Sequence, residues 1–217
     1  MTSRPFVARS RAHLLRALVG DLSFAVVSNN CWGAHIYQAL DLPYQTPFVG
    51  LFVLPDDYLR LLRSFDALMA VDLGFVPESS DTRINDWRRR SGLTYPIGML
   101  AGHLELHFQH YASEAEAGEV WRRRVCRMPA DPNRRFFKFD DRDGSDARRI
   151  AEFQALPLHN KVCFSARAYE DSVVVPADPG ASHVPDGLKL SKTSHEYFNA
   201  LRWISTLPRC VPLPSWI

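Results

Sequence analysis

The sequence lacks any pair of cysteines close enough to read as a metal knuckle or a redox couple. Its four cysteines, Cys31, Cys126, Cys163 and Cys210, are scattered over 217 residues. That dispersal argues against a disulfide framework and against a structural zinc site, so no metal is expected. Dispersed reduced thiols suit a cytoplasmic compartment. No apolar run approaches the roughly 20 residues that a membrane span requires. The N-terminus carries Arg4, Arg9, Arg11 and Arg16 but no apolar segment of signal-peptide length. An excess of charge of either sign is also lacking, and a net charge of +2 is too mild to point to nucleic acid. The arginine runs 88–90 and 122–124 read first as solvated helix faces, with a phosphate-bearing ligand as the alternative. There is no Walker loop, no Gly-x-Gly-x-x-Gly, no Gly-x-Ser-x-Gly and no His-Glu-x-x-His. The common NTPases, dinucleotide enzymes, serine hydrolases and zinc proteases are therefore disfavoured, and no motif asks for a cofactor.

What is present is ordinary globular material. A hydrophobic fraction of 46% against 23% charged residues permits a sizeable core, and the length suits one domain. Residues 1–12 read as a loose arm, 13–207 as a single α/β domain and 208–217 as a tail. Short apolar runs bounded by turn residues predict strands at 22–28, 47–53, 135–139, 161–165 and 172–175. The stretches 95–100 and 104–111 look like paired strands around Ala101-Gly102. Helices are expected at 13–19, 34–40, from Pro55, from Ser113, from Ser145 or Asp146, and at 194–205. Ser113 with Glu116 fits a capping box. Residues 77–92 read as an exposed excursion anchored by Ile84 and Trp87, and 176–192 as a loop. Strands alternating with helices predict an α/β fold, a single layered domain with a mixed, mostly parallel sheet flanked by helices.

Three constellations could carry chemistry. The first is Ser28-Asn29-Asn30-Cys31-Trp32-Gly33, a strand-to-helix turn. Ligands of open α/β sheets bind beyond the carboxyl ends of strands. Cys31 beside a helix start is expected to have a lowered pKa and to be the most reactive thiol. Asn29 and Asn30 could donate to a carbonyl or phosphoryl oxygen, and His35, four residues on, could share a helix face with Cys31. The plainer alternative is an inert cysteine in a turn whose asparagines cap the helix. The second is 103–111, where strand alternation puts His103, Glu105 and His107 on one face, able to bind a metal or to hold a base with its orienting carboxylate, or else simply a solvated polar face. The third is 138–144, in which Asp141 or Asp143 could orient a base or bind sugar hydroxyls and Arg142 could pair with phosphate. Its alternative is a turn whose aspartates cap the next helix. The turns after residues 28 and 139 are expected to lie side by side.

These motifs, taken in order, resemble a bacterial family labelled exopolysaccharide biosynthesis protein, a domain of unknown function. The resemblance rests on Ser28-Asn29-Asn30-Cys31-Trp32-Gly33, Ile36-Tyr37-Gln38, Leu42-Pro43-Tyr44 and Pro47-Phe48-Val49-Gly50-Leu51. It continues through Tyr95-Pro96-Ile97-Gly98, His107-Phe108-Gln109-His110-Tyr111, Arg142-Asp143-Gly144 and Asn160-Lys161-Val162-Cys163-Phe164, and covers most of 22–205. It implies a role in exopolysaccharide, capsule or lipopolysaccharide assembly. The expected activity is a transferase modifying a sugar or glycan precursor from an acyl or phosphate-bearing donor. In that reading Cys31 is nucleophile or donor contact, His107 base and Asp143 orienter. Asn29, Asn30, Trp32, His35, Asp141 and Arg142 bind substrate. The alternative is a non-catalytic protein that holds a nucleotide-sugar or glycan for a partner enzyme. Either form would meet polysaccharide-assembly enzymes peripherally, without spanning the membrane.

Overall fold

A computed structural model describes residues 4–214, with only the backbone of 4–9. Two sheets build the molecule. The first holds four parallel strands in the order β1 (Ala25–Ser28), β5 (Arg135–Asp140), β6 (Lys161–Ser165) and β7 (Ser172–Val174). The second is an antiparallel meander of β2 (Leu73–Val76), β3 (Ile97–Leu100) and β4 (Leu104–His107). The α/β class expected from sequence is thus observed, with the antiparallel strands segregated in their own sheet.

Period-two alternation gives the parallel sheet two apolar faces. Val27, Phe137, Phe139 and Cys163 join one core cluster. Val26, Phe136, Val162 and Phe164 join the other. The first face is covered by α3 (Pro55–Arg63), α4 (Phe65–Met69) and α7 (Ala147–Ala155), through Tyr58, Phe65 and Phe153. Tyr58 lies parallel to Phe139, with ring centroids 5.8 Å apart. The second face is covered by α1 (Arg4–Val19), α2 (Ala34–Ala39), α8 (Gly187–Thr193) and α9 (Ala200–Ile204). The antiparallel sheet packs against α6 (Glu114–Val125), whose Trp121 meets Phe108 at 6.0 Å.

Several expectations shift. The helix α1 begins at Arg4, so the arm read as loose over 1–12 is helical from there; residues 1–3 lie outside the described residues. The predicted strand 47–53 reduces to one bridge, Phe52 to His107. Pro47 has no N–H to give a ladder. Gly50 adopts φ +83°, with the Tyr111 ring edge only 3.0 Å from where a Cβ would stand. The 77–92 excursion contains α5 (Thr82–Ser91), N-capped by Asp81, which accepts from Arg83 N. β2 and α8 fall in stretches whose apolar periodicity is too short to read. The 194–205 helix is a single 3-10 turn, Ser194–Glu196, followed by α9. The capping box at Ser113 forms with a displaced return bond. Ser113 Oγ accepts from Glu116 N, while Glu116 Oε2 accepts from Ala112 N.

The bridging segment positions everything that follows. Phe52 exchanges both backbone hydrogen bonds with His107, and Val53 N donates to Asn29 O at 2.9 Å. Residues 52–53 therefore stitch the exit of β1 to the exit of β4, and a cleft opens between the two sheets.

Candidate functional site

The cleft has a volume of about 650 Å³. Asn30 and Cys31 come from the end of β1, Phe52 and Leu54 from the bridging segment, and Gln109 and His110 from beyond β4. Arg142 and Asp143 come from the turn after β5. Ile84 and Trp87 of α5 form one wall, and Gly187 and Leu188 of α8 another. The turns after residues 28 and 139 are side by side, as expected of neighbouring parallel strands.

Beneath the cleft lies a buried charged network. Lys138 and Asp140, two residues apart on β5, share a strand face and form an ion pair with no solvent exposure. Lys138 Nζ also donates to Asn29 Oδ1 at 3.2 Å and Asn30 Oδ1 at 3.1 Å. Asn29 Nδ2 donates to Asp140 Oδ1 at 3.0 Å, and Asn30 Nδ2 to Asp140 Oδ2 at 2.7 Å. Burial alone would push the Asp140 carboxyl up. The ammonium of Lys138 and the two amides outweigh it and hold the pKa below the ordinary value. Burial draws Lys138 below the ordinary lysine value, with Asp140 opposing. A fully satisfied set of this kind fixes geometry, because each member is costly to leave unpaired. Sequence reasoning singled out neither Lys138 nor Asp140, although a lysine between two phenylalanines in a buried strand was a usable signal.

The residues proposed from sequence, His107 apart, separate into three groups. Asn30, Cys31, Arg142 and Asp143 meet in the cleft. Asn29, Trp32 and Asp141 do not line it. Asn29 is wholly engaged with Lys138 and Asp140. Trp32 is buried in the second core, its indole N–H donating to Ser194 Oγ at 3.0 Å and its ring 5.2 Å from Phe164. Asp141 accepts from Ala166 N at 2.7 Å and Val184 N at 2.8 Å, tying 176–186 to the sheet. His35 lines an adjacent hollow of about 410 Å³ that shares Cys31, His110 and Leu188 with the cleft. Its Nδ1 bonds Trp32 O at 2.5 Å, and burial lowers its pKa.

One expectation about ionisation is corrected. The Cys31 thiol is raised, not lowered, because burial outweighs the Gly50 backbone hydrogen bond and the charge of Lys138, and Asp186 adds to the rise. The helix start offers little relief: it is one 3-10 turn, and the Asn30 side chain already takes Trp32 N. His107 is buried and stacks on Phe52, with centroids 4.5 Å apart at 9°. Neither ring nitrogen has a hydrogen-bond partner among the described residues. Burial drives its pKa down to about 4, although Glu105 Oε2 lies 3.6 Å from Nε2. Glu105 itself is committed to Ser79 Oγ at 2.5 Å and Ser80 N at 2.6 Å. Of the predicted face of His103, Glu105 and His107, the pair Glu105 and His107 forms on β4, while His103 is exposed in the turn between β3 and β4.

Arg142 is fixed by Val184 O at 2.9 Å and reaches His183 Nδ1 at 3.3 Å. Asp143 has φ +57° at the tip of its turn. It is exposed at the mouth of the cleft. Desolvation first, and then the charge of Asp140, push its pKa up against Arg142 and Lys138. No group of three or more His, Cys, Asp or Glu side chains among the described residues is arranged to hold a metal ion. No helix among them is long and apolar enough to cross a membrane.

Fold and site together define an α/β protein with a ligand-sized cleft at the carboxyl ends of parallel strands. The chain belongs to the family described as Domain of unknown function (DUF1919), whose model matches residues 5–207. It is similar to an uncharacterised protein of Haemophilus influenzae, 33% identical over 207 residues, covering 91% of this chain and 93% of the relative.

Proposed function

We propose that the cleft takes a sugar or glycan precursor, and that the chain is a transferase in the assembly of exopolysaccharide, capsule or lipopolysaccharide. The observation that carries this reading is the composition of one cleft. The aromatic residues Phe52 and Trp87 share it with the polar side chains Gln109 and Asp143. An apolar wall with a few placed polar groups is how small-molecule sites gain both affinity and orientation. Aromatic faces cover the C–H face of a pyranose, while carboxylates and amides take its hydroxyls. The sequence resemblance to exopolysaccharide biosynthesis proteins supports the same substrate class.

The group placed to move a proton is Asp143, which lines the cleft and whose carboxyl is raised above its ordinary value by desolvation and by Asp140. An acceptor sugar hydroxyl gives its proton to the Asp143 carboxylate as its oxygen attacks the electrophilic carbon or phosphorus of the donor. The new oxygen bond forms while the bond to the leaving group breaks. The leaving group departs with the electron pair and takes the proton back from Asp143. Cys31, as a neutral thiol, contacts substrate without forming a covalent intermediate. His107 lies behind Phe52 and sets the position of that ring.

A second reading, a protein that binds a glycan without transforming it, is favoured by the raised Cys31 thiol and the seclusion of His107. The test mixes purified protein with acyl thioesters or nucleotide sugars and free sugar acceptors, and follows new product by mass spectrometry. Transfer that is lost in Asp143→Asn and retained in Cys31→Ser supports the transferase. Sugar binding without transfer supports the second reading, and absence of both contradicts each.

A further inference from the structure

The sugar-binding cleft does not end at Asp143. It continues into a second compartment of about 560 Å³, and Leu54, Asp81, Arg83 and Asp143 line both. The two halves differ in chemistry. The first carries Phe52, Leu54, Ile84, Trp87 and Leu188. The second is made of Asp56, Asp57 and Arg60 from the start of α3, Ser80 and Thr82 before and within α5, and Arg149 of α7.

Resting on the sugar reading of the cleft, we infer that the substrate is at least two sugar rings long, the second ring being uncharged and seated in this polar compartment. Charge pairing decides between a neutral ring and a phosphate. Each guanidinium there already holds a carboxylate. Arg60 meets Asp57 at 3.0 Å, Arg83 meets Asp81 at 2.7 Å, and Arg149 takes Asp56 with two bonds of 2.7 Å. Three arginines face four aspartates, Asp56, Asp57, Asp81 and Asp143. A phosphate entering this compartment would have to displace a carboxylate or lie beside several. A polyol meets no such penalty, since Arg–Asp pairs, Ser80 and Thr82 present donors and acceptors to neutral hydroxyls. Each compartment lies within the roughly 300–1,000 Å³ typical of small-ligand sites. Asp143, at the junction, reaches both rings, so the reacting hydroxyl stands where the two compartments meet.

The test is calorimetric titration of the full chain with glucose, galactose and N-acetylglucosamine, with lactose, cellobiose and N,N′-diacetylchitobiose, and with glucose 1-phosphate. The expected result is a disaccharide that binds about 10-fold or more tightly than its component monosaccharide. That gain persists when salt is raised to about 0.5 M, where exposed charge attraction is screened. Arg60→Ala and, independently, His103→Ala at the rim bring the disaccharide back toward monosaccharide affinity. A monosaccharide that binds with no gain from its disaccharide overturns the two-ring inference and leaves the sugar reading standing. Tighter binding of glucose 1-phosphate that salt abolishes makes the polar half an anion site, and also overturns it. If no sugar of either size binds, the reading of the cleft fails and the inference with it.

Discussion

The side-chain amide of Asn30 donates to Asp140 Oδ2 at 2.7 Å, across the exits of two neighbouring parallel strands. The same carboxylate is paired with Lys138 and takes Asn29 on its other oxygen. The cleft floor is therefore set by a buried polar lattice. Asn30 belongs both to that lattice and to the cleft lining, so a change in the lattice reaches the cleft.

Removing one member of the Lys138–Asp140 pair should be severe. Asp140→Asn or Lys138→Met alone is expected to cost about 3–5 kcal/mol, because a buried charge is left uncompensated. The double variant should recover part of that loss, since neither charge remains. Urea denaturation of the four proteins measures this. Single variants within about 1 kcal/mol of the parent would show that the pair is not buried as described.

Stability should fall in mild acid through His107. Its pKa is about 4 in the folded protein, against an ordinary value of 6.5. Between those values the unfolded chain binds a proton that the folded chain does not, so stability rises with pH across the window and is lost as pH falls. The size is about 3 kcal/mol for this group. Glu105, with a lowered pKa, acts in the same direction at lower pH. Denaturation at about pH 7.5 and 4.5 should show a smaller difference in His107→Phe than in the parent. Equal differences would contradict a secluded neutral imidazole.

Cys31 should be a slow thiol. Its raised pKa and half-burial predict alkylation at neutral pH no faster than that of the exposed Cys126 and Cys210. Peptide mass spectrometry after timed iodoacetamide treatment resolves all four cysteines. Preferential labelling of Cys31 would restore its candidacy as nucleophile.

The sequence pointed to the two turns that border the cleft and to Asn30, Cys31, Arg142 and Asp143 within them, but not to which of their neighbours turn away from it. The strand–turn–helix pattern at 28–33 and 138–144 is local, and adjacent parallel strands bring such turns together. Which side chain of a turn faces the cleft is not local. Trp32 points inward because Phe164, Phe198 and Trp203, far along the chain, form its pocket. His107 alternates correctly with Leu106, yet Phe52 covers it from a segment whose pairing is a single bridge. Trp87 was visible as an anchor. Its place in the cleft depends on α5, a helix whose polar sequence carries only a weak apolar stripe.

Gly187 is held at close approach. A Cβ there would stand 2.9 Å from Asn30 Oδ1 and 3.1 Å from Trp32 N, and Asn30 cannot yield while bound to Lys138 and Asp140. Gly187→Ala is expected to cost about 1–3 kcal/mol through overpacking. It should also weaken sugar binding by moving Leu188 at the cleft rim. Unchanged stability and unchanged binding together would mean that α8 is free to shift.

The most direct test of the account is a fluorescence titration of Trp87, the one tryptophan among the described residues that lines the cleft. It compares the parent, Trp87→Phe and Asp143→Asn with the same mono- and disaccharides. The account predicts a saturable change in the parent and no such signal in Trp87→Phe. It predicts an affinity lowered about 10-fold or more in Asp143→Asn, the loss of a charged hydrogen bond to a hydroxyl. A saturable signal that survives in Trp87→Phe, or an affinity indifferent to Asp143, would contradict a sugar bound between these two residues.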